Sequence, residues 1–152
     1  MLITFDIDDT IRLHGSSKPS EKPLFTWVAR LLYREPIRHG FIQLCQDLRI
    51  QGCRLGIYTT SSRTVGYIRR WLWCYGFSPD LIVNAEIHEA ALSGRFERGR
   101  PPSKHPGLFV VDLHIDDSTG VAIEAERFGF RAIIIDPENL DWGATVLDQI
   151  RS

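Results

Sequence analysis

Three short apolar runs in this chain break off directly into carboxylates or hydroxyls, and that pattern limits the architecture more than any other feature. Leu2-Ile3-Thr4-Phe5 ends at Asp6-Ile7-Asp8-Asp9-Thr10, Arg54-Leu55-Gly56-Ile57-Tyr58 ends at Thr59-Thr60-Ser61-Ser62, and the run from Leu108 to Ile115 ends at Asp116-Asp117. Short, largely apolar runs of this kind read as parallel strands buried on both faces. Leu81-Ile82-Val83 and the run from Ala132 to Ile135 read the same way. Helical spacing fills the intervals. Phe25, Val28, Ala29 and Leu32 mark one helix, and Ile37, Phe41, Leu44, Cys45 and Leu48 a second after the break at Glu35-Pro36. Val65, Ile68, Leu72 and Tyr75 mark a third, and Val121, Ala122, Ala125 and Phe128 a fourth. Gly52, Gly76 and Gly129 terminate the last three of these. Residues 12–23 and about 93–104 are polar, contain Gly and Pro, and read as loops.

Strands alternating with helices at this spacing predict an α/β fold: a three-layer, Rossmann-like domain over residues 1–152 with a mostly parallel central sheet. In such sheets ligands sit at the carboxyl ends of the strands, where the strand order reverses. With 152 residues, 43% of them hydrophobic, the chain can bury a core without disulfide or metal staples. Lys plus Arg (18) nearly balances Asp plus Glu (19), which excludes a global electrostatic footprint for nucleic acid or for an anionic membrane. The apolar runs are too short to span a bilayer, and Asp6 comes too early for a signal peptide, so a cytoplasmic location and no membrane partner are expected. Cys45, Cys53 and Cys74 lack metal-ligand spacing and read as reduced core residues. The five histidines show no ligand spacing either, although His114 lies close enough to Asp116-Asp117 to tune them.

Asp6 and Asp8, two residues apart just past a strand end, can both face one small space. A carboxylate attacks a negatively charged phosphate ester only if a cation neutralises the encounter, and hard Mg²⁺ suits an all-oxygen site of this kind. A second carboxylate near the leaving oxygen could protonate it and later activate water. At these residues the sequence resembles the haloacid dehalogenase-like (HAD) superfamily of hydrolases. Asp6-Ile7-Asp8-Asp9-Thr10 matches the family's D-x-D-x-T motif, Thr59 its strand-end Ser/Thr, Lys104 its lysine, and Asp116-Asp117 its acidic pair. All four occur in the family's order, and the resemblance runs from Met1 to about Pro137.

The resemblance implies a Mg²⁺-dependent phosphatase in which Asp6 is the nucleophile and forms an aspartyl-phosphate. Asp8 would be general acid/base and would also reach Mg²⁺ through its carbonyl. Thr59 would bind the phosphoryl group, a role Thr60 could also fill, and Lys104 would offset its charge. Asp116 and Asp117 would complete the metal site, with Asp117 favoured as direct ligand and Asp116 as the partner that orients Lys104. A phosphotransferase using the same intermediate, or a non-catalytic metal-binding or regulatory domain of the same fold, stays open as an alternative.

Each interval between motifs holds about 40 residues, nearly all absorbed by core elements, so no large cap domain is expected. An open site calls for a bulky substrate or for closure by a neighbouring subunit. The expected partner is thus a phosphorylated substrate, a macromolecule among the candidates, with homo-oligomerisation as the other way to close the site. Arg95, Arg98, Arg100, Lys104 and His105, with Arg69, Arg70, Trp71 and Trp73, could together hold a nucleic-acid end, but a solvated loop and a half-buried helix are favoured.

Overall fold

The computed structural model describes residues 1–15, 18–33, 35–95 and 101–151. Among them five strands form one parallel sheet: β1 (Leu2–Phe5), β2 (Arg54–Tyr58), β3 (Leu81–Val83), β4 (Leu113–Asp116) and β5 (Ala132–Ile134), in the order β3-β2-β1-β4-β5. β1 sits at the centre, with Phe5 opposite Ile57 on one side and Ile115 on the other. The connections from β1 to β2 and onward to β4 run to opposite sides, which opens a crevice at the carboxyl ends of β1 and β4.

All four residues of β1 and of β4 are buried, as expected of strands covered on both faces. The two faces differ in chemistry. Ile3, Phe5, Leu55, Ile57, Leu113 and Ile115 point to one face, where Phe5 meets Phe41 of α2 (Phe41–Ile50) edge-on at 5.3 Å. Burying each such side chain contributes about 1.5–3 kcal/mol. Thr4, Tyr58, His114 and Asp116 occupy the other face, where every polar group needs a partner. Gly56 lies among them because a Cβ there would come 2.9 Å from the Leu81 carbonyl oxygen.

The remaining helices are α1 (Thr26–Leu32), α3 (Val65–Trp73), α4 (Ala85–Leu92), α5 (Thr119–Phe128) and α6 (Trp142–Arg151). The core cluster runs from Ile3 to Val146 and takes in Cys45, Cys53 and Cys74 as buried free thiols. No described helix is long and apolar enough to cross a membrane. Among the described residues between Asp9 and Arg38, a loop and the seven residues of α1 leave the sheet, and they form no large cap.

Several boundaries differ from the sequence reading. The strand expected from Leu108 begins at Leu113, and Pro106–Phe109 form a 3₁₀ turn that leaves Val110 exposed with φ +55. Pro106 presets the turn, and Asp112 interrupts the apolar run to accept the Leu2 amide at 2.6 Å. Ile37 is not helical. Its carbonyl accepts the Glu21 amide, and α2 starts only after Gly40 turns the chain at φ +86. Tyr75 falls beyond α3, in the turn closed by Gly76. Helices α4 and α6 have no counterpart in the sequence reading: α4 buries only His88 and shows no apolar stripe, whereas α6 carries Trp142, Val146, Leu147 and Ile150 at helical spacing, a signal that went unused.

Arg38 is 4% exposed and donates to the carbonyls of Thr10, Asp136, Pro137 and Asn139 while stacking over Trp142. It ties the loop after β5 to the loop after β1. Arg38→Met keeps the stem but orphans these acceptors, so unfolding in urea should show a loss of about 2–3 kcal/mol. A loss below about 0.5 kcal/mol, the range of an ordinary surface change, would contradict this anchoring role.

Candidate active site

The ladder of β1 continues one residue further, with the Asp6 amide donating to the Ile115 carbonyl at 2.9 Å. That bond sets Asp6 beside the end of β4, where Asp116 and Asp117 emerge. Carboxylate oxygens of Asp6, Asp116 and Asp117 lie within 4.8 Å of one another. Lys104 reaches into this cluster from the loop before the 3₁₀ turn. Its Nζ donates to Asp6 Oδ1 at 2.5 Å and to the Tyr58 carbonyl at 3.0 Å, and lies 3.4 Å from Asp116 Oδ2. Thr59 is buried at the end of β2 with its hydroxyl accepting the Ser61 amide, whereas Thr60 is exposed.

The two adjacent carboxylates have different surroundings. Asp116 accepts from His114 Nε2 at 3.0 Å and from the Ser118 amide at 2.9 Å. Because a carboxylate only accepts, His114 Nε2 carries the proton, and Nδ1 then accepts from the Thr4 hydroxyl at 2.9 Å. Burial pushes the His114 pKa down and keeps the ring neutral. Burial alone would raise Asp116, but the His114 hydrogen bond and Lys104 outweigh it and bring its pKa to about 2. Asp117 is half-buried, accepts from the Thr10 hydroxyl at 3.3 Å, and is raised above its ordinary value by burial and then by Asp116. Burial likewise raises Asp6. Lys104 opposes that shift and Asp116 adds to it, leaving Asp6 above the ordinary carboxylate range.

Three carboxylates against one ammonium leave the site short of positive charge. An all-oxygen, partly open donor set of this kind fits a hard divalent cation such as Mg²⁺, with Asp6, Asp116 and Asp117 as the side chains that could hold it.

Asp8 stands apart from this cluster. Arg63 grips its carboxylate with two bonds of 2.8 and 2.9 Å, and Arg12 adds one at 3.1 Å. Burial would raise the Asp8 pKa, but the bonds to Arg63 and Arg12 prevail and hold it below the ordinary carboxylate value.

The short link before Asp116 holds Lys104 by side-chain anchors rather than by a helix. Glu124 of α5 accepts from the Ser103 amide, the Ser103 hydroxyl and the Lys104 amide at 2.7–3.0 Å. The Tyr58 hydroxyl accepts from the His105 amide at 2.8 Å and donates to His88 Nδ1 at 2.6 Å, while His88 Nε2 donates to the Pro102 carbonyl. Sequence reasoning missed Glu124, His88, Arg12, Arg63 and Glu35, since none belongs to a motif or a periodic stripe, and it read Tyr58 only as a strand residue. The one signal available for Arg63 was its position after the hydroxyl cluster that follows β2.

The basic and aromatic cluster read from the sequence does not form one surface. Trp71 is fully buried and donates to the Glu35 carbonyl, and Lys104 is buried against Asp6. Arg95, Arg69 and Arg70 are exposed, and Trp73 stacks on Phe25 at 4.7 Å. Arg98 and Arg100 lie outside the described residues.

A solved structure described as a predicted HAD-like family hydrolase from Porphyromonas gingivalis is similar to this chain. It matches over 99% of this chain and 98% of its own length, with a TM-score of 0.53 and 14% sequence identity. No family model and no curated protein matches the sequence. The fold is therefore of the HAD-like, Rossmann type without a large cap.

Loss of Glu124 should loosen the lysine loop before it touches the sheet. In Glu124→Ala the amides of Ser103 and Lys104 should exchange with solvent at least about tenfold faster, as expected for losing bonds to a charged acceptor. Unchanged protection at both amides would show that the loop is held without Glu124.

Proposed function

We propose that this protein is a Mg²⁺-dependent phosphomonoester hydrolase that works through an aspartyl-phosphate on Asp6. The observation that carries the reading is the meeting of Asp6, Asp116 and Asp117 within 4.8 Å at the carboxyl edge of the sheet, with Lys104 Nζ 2.5 Å from Asp6. The similarity to a predicted HAD-like hydrolase supports it at the level of fold.

Bound by Asp6, Asp117 and the Asp8 carbonyl, with Asp116 beside them, Mg²⁺ would neutralise the phosphoryl oxygens and allow an anionic carboxylate to approach. Asp6 attacks phosphorus in line and the ester P–O bond breaks; Asp8, held ionised by Arg63 and Arg12 in the free protein, must take up a proton as substrate binds and passes it to the departing oxygen. Asp8 then takes a proton from water as that water attacks phosphorus, releasing phosphate and restoring the Asp6 carboxylate. Lys104 stabilises the negative charge shared by Asp6 and the transferring group, and the Thr59 hydroxyl orients a phosphoryl oxygen. His114 fixes the carboxylate plane of Asp116, which keeps Lys104 directed at Asp6.

Purified protein should release phosphate from an aryl phosphate in the presence of Mg²⁺, and chelation or Asp6→Asn should abolish release. Rates indistinguishable from Asp6→Asn across a broad phosphomonoester panel would overturn the reading. The two motif carboxylates should separate kinetically. Asp8→Asn should keep phosphate-mimic binding but lose about 10²- to 10⁴-fold in kcat, the usual contribution of general acid/base catalysis, whereas Asp117→Asn should weaken metal binding measured by calorimetry. Full turnover by Asp8→Asn would remove it from proton transfer.

A further inference from the structure

Beside the carboxylate cluster, four charged side chains close into a ring. Arg63 bonds both oxygens of Asp8 on one side and, through Nε and Nη2, the carboxylate of Glu35 on the other, at 2.5–3.2 Å. Arg12 completes the circuit, 3.1 Å from Asp8 and 2.9 Å from Glu35. Tyr67 adds a hydroxyl donor to Glu35 at 2.6 Å. The side chains of Arg63 and Glu35 are only 17% and 16% exposed.

Three of these groups, Asp8, Arg12 and Arg63, belong to the loops after β1 and β2, while Glu35 comes from outside the sheet, on the segment after α1. Glu35 therefore acts as an anion delivered to a receptor made of two guanidinium forks and a phenol, a donor set that suits carboxylate or phosphate oxygens. The fit is incomplete. Arg12 Nε is buried and finds no hydrogen-bond acceptor, because Glu35 Oε2 at 2.9 Å lies off its N–H direction. Space for the occupant lies beside it: Glu35 itself lines a cavity of about 630 Å³ bordered by Pro23, Ala29, Tyr33 and Tyr75, while Trp71 Nε1 holds its carbonyl at 2.8 Å.

We propose that Arg12, Arg63 and Tyr67 form a second anion-binding subsite, occupied by Glu35 in the free protein, and that the substrate is a phosphomonoester carrying a second carboxylate or phosphate. This rests on the proposed phosphatase reading for the position of the first phosphate, next to Asp6. The second anion would displace Glu35, take up the vacant valence of Arg12 and orient the ester over Asp6. Arg63 is then a specificity residue that touches substrate, in addition to holding Asp8.

Binding separates this inference from turnover. With excess Mg²⁺, calorimetry should compare ethylphosphonate with phosphonoacetate and 3-phosphonopropionate for the carboxylate arm, and with methylenebisphosphonate and 1,3-propanebisphosphonate for the phosphate arm. At least one doubly anionic ligand should bind roughly tenfold or more tightly than ethylphosphonate, a preference of the order expected for a charge-assisted bidentate pair. Glu35→Gln, which removes the internal competitor, should widen the gap, and Arg63→Gln should close it. Equal affinities in both the wild type and Glu35→Gln would overturn the subsite, as would a gap that survives in Arg63→Gln. Failure of phosphate release with the binding gap intact would instead count against the hydrolase reading alone.

Discussion

One buried ammonium organises the carboxyl edge of the sheet. Lys104 Nζ lies against Asp6, Asp116 and the Tyr58 carbonyl, and so joins the ends of β1, β2 and β4 at one point. Burying these charges is costly unless every group is paired, and the surrounding hydrogen bonds supply the pairing. Glu124 fixes the Lys104 backbone, Tyr58 and His88 fix its neighbours, and neutral His114 fixes Asp116. A single ammonium still cannot balance three carboxylates. Asp6 and Asp117 retain raised proton affinities while Asp116, backed by His114, is held low. That residual negative potential would draw a divalent cation, and the proposed attack of one anion on another depends on it.

The second level of organisation is the salt-bridge ring around Arg63. It links the loop after β1, the loop after β2 and the segment after α1 through side chains, in addition to the backbone bonds that already join the first of these to the last. The same contacts keep the Asp8 carboxylate fully engaged.

Much of this was legible in the residues. An apolar run that stops at a carboxylate leaves little choice of direction or neighbour, because only parallel strands buried on both faces tolerate such runs and their carboxyl ends must share an edge. Asp6, Thr59 and Asp116 were thereby placed at strand ends on one edge of the sheet, where they lie. Lys104 was found through its place in a motif order, since nothing in its own surroundings, Pro102-Ser103-Lys104-His105, distinguishes a buried lysine from a solvated one. Trp71, weighed beside two arginines as a stacking surface but favoured as part of a half-buried helix, points into the core, where its indole N–H donates to the Glu35 carbonyl.

The sequence by itself determined the parallel sheet, its site edge and the carboxylates there, because strand burial and the two-residue side-chain period act locally. Only the tertiary structure decided which charges pair. Glu35 lies 28 residues from Arg63, and Glu124 lies 20 from Lys104. Contacts between polar side chains on separate loops leave no periodic trace in the sequence, since their geometry is set by how the loops pack once the sheet has formed.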